Sequence, residues 1–523
     1  MLSNLIKSRQ VICRLYSATV TNTKVNNPYS FDNSYTTTLE KEWQQASPFN
    51  SIPGPTKYQL IRDFMPGGDF HKKSFDSVLR QCRERYGDLY LMPGMLGKQQ
   101  NLITFNLNDH EKIFRTEGPF PVRPGNEIIF DYRLQRTEAG LYDAENLGVA
   151  GNGAQWSRFR HAVNPVLMQP RNTVLYIEPT QKVNNDFIER IREIRNPTTL
   201  EVPEDFLREI KRLAFESVAV IALDKELGLV RNQVTLPEAQ ELFDNLQTFN
   251  TSLYELGIKP SIHRYIKTPT YRKFEKSMDT ITNICCKYVE ETLQRIESHG
   301  EEEGKSVLEK LIKIDRKIAT IMSVDMLMFG VDPTSTIMSA ALLCLATNPE
   351  KQKKLRAEIL NAIGRNGKFS MENMKNLPYL RACIKEAMRL YPLIFGNMRT
   401  TAMDLCLSGY QVPKGTHVFL TSNMLLKDVC YFSQPDEFIP ERWLRSQESD
   451  KLKATNPFIF LPFGFGPRSC VGKRIVDLQL EITLANIVRN FNMEFQYSTE
   501  NAFQNFFMNA CVIPLKFKFT DLP

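Results

Sequence analysis

Apolar residues recur every three to four positions along most of the chain, which is the pattern of helices that bury one face. The predicted helices cover residues 74–86, 156–168, 176–194, 206–223, 271–297, 318–346, 349–363 and 377–391. Stretches with strand character are short: 88–92 and 101–105 are expected to form one hairpin, 405–422 a second, and 512–519 a last strand. The pattern predicts a mainly α-helical fold with a small β part.

One predicted helix, residues 318–346, is interrupted in its middle by the run FGVDPTST at residues 329–336. Pro333 cannot donate a backbone hydrogen bond, and a proline inside a helix costs about 3 kcal/mol. Asp332 adds a carboxylate to the same turn, where burial is unfavourable unless a partner hydrogen-bonds it. The eight residues alone fit either a turn between two helices or a break with a function.

The N-terminal 50 residues differ in composition from the remainder. Residues 1–24 carry Lys7, Arg9, Arg14 and Lys24, many hydroxyl side chains and no acid, which is typical of a mitochondrial presequence. Residues 25–50 are polar and are expected to be a linker. No run of 18 apolar residues occurs, so no transmembrane helix is expected. The net charge of +7 is too diffuse to indicate a nucleic-acid partner.

The strongest chemical signal is LPFGFGPRSCVGKR at residues 461–474, which precedes a periodic helix. Cys470 lies at the start of that helix, in a loop whose glycines let the backbone approach a flat partner closely. Backbone amides at a helix N-terminus favour a thiolate, and a thiolate is a good axial ligand for haem iron. Cys470 with its nearest neighbours alone would equally fit a free cysteine in a glycine-rich turn.

The full run is far more specific than the cysteine alone. It matches the pattern F-x-x-G-x-R-x-C-x-G through Phe463, Gly464, Gly466, Arg468, Cys470 and Gly472. The sequence therefore resembles the cytochrome P-450 superfamily of haem-thiolate monooxygenases, over about residues 50–523. The resemblance implies a single helical domain at residues 51–523 that encloses haem b, with Cys470 as axial thiolate ligand and Phe463 beside the haem.

Other landmarks of that superfamily occur in the expected order. KEAMRLYP supplies Glu386 and Arg389, three positions apart and so on one helical face, and PERW supplies Arg442. The resemblance implies that these three side chains form the structural Glu-Arg-Arg cluster. It also implies that the haem propionates are bound by Trp156, Arg160, Arg399 and Arg468.

The interrupted helix departs from the superfamily pattern A-G-x-D-T-T, in which an acid and a threonine deliver protons to bound oxygen. Asp332 matches the acid, but Pro333 replaces the threonine and Phe329 the alanine. Asp332 and Thr334 are the candidate catalytic residues, although Thr334 lies about 100° around the helix from the usual position.

Three accounts of proton supply follow from this departure. Ordered water or a substrate hydroxyl relays the proton, Pro333 distorts the helix so that Thr334 turns inward, or oxygen is not productively reduced. The third account keeps two alternatives open: an oxygen-independent isomerase or dehydratase, and a haem-binding protein without turnover.

Basic residues indicate the electron donor. Arg381 and Lys385 lie on the E-x-x-R helix, and Lys473 and Arg474 follow the cysteine. Taken alone, such basic pairs fit a solvated helix face. Both runs resemble the mitochondrial clan of the superfamily, however, and the resemblance implies that these residues dock an acidic [2Fe-2S] ferredoxin, which an NADPH-dependent reductase supplies with electrons. The implied location is the matrix side of the inner mitochondrial membrane, with peripheral membrane contact.

The C-terminal half contains the runs MKNLPYLRACIKEAMRLYP, LSGYQVPKGT and FIFLPFGFGPRSCVGKRIV, which resemble the insect mitochondrial family numbered twelve. The resemblance implies a lipophilic substrate, either xenobiotic or steroid-like. Four phenylalanines are the candidate lining of an apolar substrate cavity: Phe130, Phe395, Phe506 and Phe507. Each of them, taken singly, fits ordinary core packing equally well.

Overall fold

The computed structural model describes residues 33–94, 98–143, 145–231, 236–257, 261–263, 265–299, 306–445, 456–505 and 508–522. The helices are α1 (Asn33–Gln45), α2 (Lys57–Phe64), α3 (Phe75–Tyr86), α4 (Leu107–Thr116), α5 (Glu127–Leu134), α6 (Gly153–Leu167), α7 (Val174–Ile194), α8 (Phe206–Ala222), α9 (Pro237–Gly257), α10 (Pro269–His299), α11 (Val307–Ile312), α12 (Arg316–Ala346), α13 (Pro349–Ala362), α14 (Met371–Met374), α15 (Pro378–Leu390) and α16 (Lys473–Asn490). The strands are β1 (Leu89–Met92), β2 (Asn101–Thr104), β3 (Asn397–Thr400), β4 (Leu405–Leu407), β5 (Tyr410–Val412), β6 (His417–Leu420), β7 (Phe491–Glu494), β8 (Phe503–Asn505), β9 (Asn509–Cys511) and β10 (Lys518–Asp521). The predicted fold class, mainly α with a small β part, is confirmed.

Each predicted helix has a counterpart within a few residues, and the hairpin of β1 and β2 forms as expected, with Leu89 opposite Thr104. These two strands belong to a four-stranded sheet in the order β1-β2-β6-β3. Strand β6 pairs with β2 in parallel and with β3 in antiparallel orientation. Since β3 carries Arg399, this sheet fixes one of the predicted site residues.

The second predicted hairpin, residues 405–422, is wrong in its pairing. Strands β4 and β5 pair with each other, whereas β6 leaves them for the larger sheet. The turn between β4 and β5 consists of Ser408 and Gly409, both with positive φ (46° and 82°). Two such residues form the tight turn that closes a two-residue hairpin, so the reversal comes earlier than predicted.

The last predicted strand, 512–519, is also largely wrong. Only its final two residues belong to a strand, β10, which pairs with β7. The preceding residues run irregularly, and their apolar side chains pack in the core, as Leu515 and Phe517 do. Burial without strand pairing explains why the hydrophobic pattern misled the prediction.

Helix α12 is the centre of the main core, and it runs from Arg316 to Ala346 without a break at Pro333. The interpretation of this segment as two helices joined by a turn is therefore wrong. Its residues from Ala319 to Ala346 are nearly all buried, and burial of a large apolar side chain contributes about 1.5–3 kcal/mol. A few such side chains outweigh the hydrogen bond that Pro333 cannot make.

Among the described residues, α12 is also the one helix that is long and apolar enough to cross a membrane. In its most apolar stretch 78% is buried inside the protein, so α12 serves here as a core helix.

The segment expected to be a linker, residues 25–50, contains helix α1. Leu39 of α1 is buried in a cluster with Leu405 and Leu407 of β4, and Glu42 pairs with Lys112 at 2.6 Å. The end of this segment is thus packed on the folded domain. The predicted presequence, residues 1–24, lies outside the described residues.

Candidate active site

The cysteine loop is held by its own backbone. The amide of Cys470 donates to the carbonyl of Phe463 at 2.8 Å, and the amide of Ser469 donates to that of Gly466 at 3.0 Å. Gly464 and Gly466 have φ of 71° and 69°, which glycine adopts without strain. The loop therefore presents the Cys470 side chain at the start of α16, as its sequence predicts.

Opposing effects act on the Cys470 thiol. Burial raises its pKa, whereas the Gly472 amide and the guanidinium groups of Arg160 and Arg123 lower it. Positive charge and a hydrogen-bond donor are thus directed at the sulfur. A metal cation bound to the sulfur would lower the pKa of the thiol further, since a coordinating thiol is deprotonated.

Four arginines converge near this loop. Arg160 of α6 donates to the Ser469 carbonyl at 3.0 Å, and Arg399 of β3 donates to the Phe465 carbonyl at 3.2 Å. Arg468 donates to the carbonyls of Pro121 and Gly151, both at 2.9 Å. The structure thereby brings together three of the predicted propionate ligands, and a fourth arginine, Arg123, joins them.

Arg123 was missed by sequence reasoning, although its charge acts on Cys470 and Arg468. Burial lowers its pKa to about 10, with a contribution from Arg399. Burial also lowers the pKa of Arg468 to about 8, helped by Arg123 and Arg399. The only available signal was Arg123 lying between two prolines in PVRPG, a rigid loop that holds its residues in place.

Trp156, the remaining predicted propionate ligand, lies beneath Arg468, whose guanidinium carbon is 3.7 Å from the centre of the indole ring. Its indole Nε1 is buried and has no hydrogen-bond partner among the described residues. A buried indole N–H usually finds an acceptor, so this donor fits a ligand oxygen.

The Glu-Arg-Arg residues form one fully buried cluster. Glu386 accepts from Arg389 at 2.9 and 3.0 Å and from Arg442 at 3.1 Å. It also accepts from the Trp443 indole at 2.8 Å and the Ile439 amide at 3.1 Å. Trp443 was missed as a partner although it is the last residue of PERW. The cluster joins α15 to the turn around residue 440.

Asp332 of α12 forms an ion pair with Lys211 of α8 at 3.0 Å. The contact lacks the alignment of a hydrogen bond, and Lys211 instead donates to Gln247 of α9 at 2.8 Å. Lys211 and Gln247 line a cleft of about 460 Å³ between α8, α9 and the segment after β9. Asp332 is therefore connected to the surface through one lysine.

Thr334 is buried, and its hydroxyl has no partner in the part of the chain that the structure describes. In a continuous helix it lies about 200° around the axis from Asp332. It shares a face with Ile337, which lines a small cavity with Phe460 and Pro462, just before the cysteine loop. The two candidate catalytic residues thus point to different sides of α12.

The predicted docking residues lie on the neighbouring helices α15 and α16. The charges of Arg381, Lys473 and Asp477 all act on Lys385, so these side chains form one surface. Two of the cations are paired with acids: Arg381 with Glu481 at 2.9 Å and Lys473 with Asp477 at 2.5 Å. Lys385 and Arg474 are exposed.

The two predicted cavity phenylalanines that the structure describes, Phe130 and Phe395, lie in different clusters. Phe130 packs against the main core, and Phe395 packs against a separate cluster that includes Phe419. The other two, residues 506 and 507, lie outside the described residues.

A mainly helical domain with a glycine-rich cysteine loop at the start of a helix, and with buried arginines around that loop, fits the class of haem-thiolate enzymes. The cytochrome P-450 family profile matches residues 53–520, and the chain belongs to this family, whose members are monooxygenases with a haem-thiolate cofactor.

Relatives and a solved structure agree with this assignment. The chain is 50% identical over 499 residues to "probable cytochrome P-450 12c1, mitochondrial" of Drosophila melanogaster, covering 94% of this chain and 95% of that protein. It is 46% identical over 505 residues to cytochrome P-450 CYP12A2 of Musca domestica, covering 94% of each. The fold is similar to the crystal structure of the cytochrome P-450DA haem domain, with a TM-score of 0.71, 16% identity and coverage of 91% and 98%.

Proposed function

We propose that this monooxygenase hydroxylates a lipophilic small molecule in the mitochondrion, with electrons from a [2Fe-2S] ferredoxin. The observation that carries the proposal is the convergence of the Cys470 loop and four arginines. The sequence relation to proteins named as mitochondrial supports the location. The family assignment and the basic surface of α15 and α16 do not favour the alternatives of an isomerase or a non-catalytic haem protein.

The residues present fit haem b. Arg123, Arg160, Arg399 and Arg468 are buried or partly buried near one another, and the unpartnered Nε1 of Trp156 adds a neutral donor. Such an excess of guanidinium groups calls for anionic oxygens, which the two propionates of a haem supply. These five residues would bind the propionates of the haem, and Cys470 would supply the thiolate that ligates its iron, with Phe463 as a further haem-binding residue.

When bound, the thiolate-ligated haem iron supplies the activation of molecular oxygen. The chain itself must supply protons without admitting excess water to the site. Asp332 is the proposed acid, since Lys211 holds its carboxylate at 3.0 Å and connects it with the cleft. Lys211 can exchange Asp332 for Gln247, because both oxygens lie within 3.0 Å of its ammonium group.

Thr334 cannot receive a proton from Asp332 by direct contact, since the two side chains leave α12 about 200° apart. Its unpartnered hydroxyl and its position next to Ile337 support a role on the cysteine side of the helix. The account in which water or a substrate hydroxyl carries the proton between the two sides is therefore favoured. The continuous helix gives no support to local unwinding at Pro333.

Peripheral membrane contact is supported by exposed apolar residues on α2. Tyr58 is 76% exposed and Met65, directly after the helix, 58%, with Ile61 and Phe64 also exposed. Large apolar side chains grouped in this way mark an interaction surface. Replacing Tyr58 and Met65 with serine should reduce sedimentation with phosphatidylcholine–cardiolipin vesicles; unchanged sedimentation would contradict this surface.

Reconstitution tests the proposed function. The purified full chain should give the red-shifted carbon monoxide band of a thiolate-ligated haem. With a mitochondrial ferredoxin, its reductase and NADPH, a panel of lipophilic compounds should include one that is oxygenated in proportion to NADPH consumed. Conversion of a hydroperoxide without a donor, with no NADPH-linked product, would favour the isomerase alternative instead.

A further inference from the structure

A buried carboxylate, that of Glu117, lies among the arginines of the cysteine loop. Its residue follows α4, and its side chain is 3% exposed. Oε2 accepts from Nε of Arg399 at 2.5 Å. The remaining nitrogens of Arg399 donate to the carbonyls of Met398 and Phe465, so Glu117 fixes the orientation of a guanidinium that also contacts the cysteine loop.

The second oxygen of Glu117, Oε1, touches the cysteine loop itself. A Cβ atom at Gly466 would overlap with it, so this glycine leaves room for the carboxylate as well as supplying the positive φ of 69°. Oε1 is buried and has no hydrogen-bond partner among the residues described. The carboxylate is thus enclosed between β3 and the loop, with one oxygen bonded and the other held by close packing.

The charge of Glu117 opposes the arginine cluster. The charges that act most strongly on Arg468 are those of Arg123, Arg399, Arg160 and Glu117, of which only Glu117 is negative. Four guanidinium groups therefore face one protein carboxylate. If Glu117 were neutral, the surplus of positive charge beside the loop would rise by one unit.

We propose that Glu117 is a positioning residue of the haem site: it orients Arg399 for a propionate and sets the net positive charge beside the cysteine loop. This rests on the proposed haem site. A negative charge near the haem disfavours the reduced iron, because reduction adds an electron. Glu117 therefore lowers the reduction potential of the bound haem.

The test compares two glutamate-to-glutamine variants of the full-length holoprotein. Glu117→Gln keeps the shape and removes the charge, and we expect a reduction potential shifted upward from that of the wild type. The control, Glu111→Gln on the preceding helix α4, breaks an exposed pair with Arg115 at 2.6 Å and should leave the potential unchanged. Glu117→Asp keeps the charge and should restore most of the wild-type potential. Potentials are measured by spectroelectrochemical titration.

The outcomes separate this inference from the haem assignment. Equal reduction potentials in wild type and Glu117→Gln, with the red-shifted carbon monoxide band present in both, would overturn the role of Glu117 and leave the haem assignment intact. Absence of that band in the wild type would overturn the thiolate site. If Glu117→Gln retains no haem, haem retained by Glu117→Asp supports a role of the charge, and haem loss in both variants would overturn a role that depends on the charge alone.

Discussion

The cysteine loop and the centre of α12 face the same proposed haem site but are built differently. In the loop, the backbone is hydrogen-bonded to itself, and Arg160, Arg399 and Arg468 donate to surrounding carbonyls. On α12, Asp332 has a single ion pair, and the Thr334 hydroxyl has no partner in the described part of the chain. Many mutual contacts restrict which residues can occupy the loop, whereas few contacts restrict those of α12.

This difference has a functional consequence. A residue with several buried partners cannot change without disturbing the fold. A residue with one partner can change, and the change alters chemistry more than stability. Substitutions in the two regions should therefore separate loss of the folded protein from loss of turnover, and they test whether the comparison holds.

The largest effect is expected for Glu386→Ala in the Glu-Arg-Arg cluster, which, like the cysteine loop, is held by several buried hydrogen bonds. The substitution leaves Arg389 and Arg442 buried without their carboxylate, which costs about 3–5 kcal/mol. We expect loss of soluble haem-loaded protein or a large drop in the free energy of unfolding, measured by urea titration. Glu111→Gln serves as the exposed control, with a change below about 0.5 kcal/mol. A Glu386→Ala protein as stable as the wild type would contradict the structural role of the cluster.

The next largest effect is expected at Asp332 in the centre of α12, where side chains have few partners. Asp332→Asn removes the proposed acid and should reduce the rate of product formation about 100-fold, the lower end of general acid catalysis. Its stability should change by no more than about 1 kcal/mol, because the ion pair with Lys211 is partly exposed. Both are measured on one preparation, by product analysis and urea titration. Lys211→Met should give a smaller loss of rate in the same direction. An unchanged rate in both variants would exclude the route through the cleft.

The features of the molecule that the sequence predicts differ from those that it does not predict in a similar way. The Cys470 loop and the pairing of Glu386 with Arg389 and Arg442 could be predicted because their spacing is recognisable. The continuity of α12 could not, because it depends on burial by distant helices. Glu117, Arg123 and Lys211 lie far from the motifs along the chain and reach the site only through folding. Local sequence patterns therefore predicted the secondary-structure elements and the motifs. They did not predict which isolated charged residues contact those motifs in the folded protein.

A smaller effect is expected at Pro333. Pro333→Thr restores a backbone donor inside α12 and should raise the free energy of unfolding by about 1–3 kcal/mol. It also restores a hydroxyl next to Asp332, so we expect less peroxide released per electron consumed. Pro333→Ala is the matched control, since it restores the donor alone: it should gain the same stability and keep the wild-type peroxide release. Equal peroxide release in wild type and Pro333→Thr would show that the missing hydroxyl does not limit proton supply.

The smallest effects belong to the proposed docking surface, where cations are paired with acids. Lys473→Gln removes a cation that an acidic ferredoxin would meet, and Asp477→Asn removes the acid that competes for it. Each exposed charge contributes about 0.2–1 kcal/mol, so the apparent affinity for ferredoxin should fall up to about fivefold in the first variant and rise similarly in the second. Both differences should shrink at high salt, where exposed charges are screened. The measurement is the ferredoxin concentration at half-maximal reduction of the haem. Shifts in the same direction for both variants would show that this surface does not bind an acidic partner through its charge.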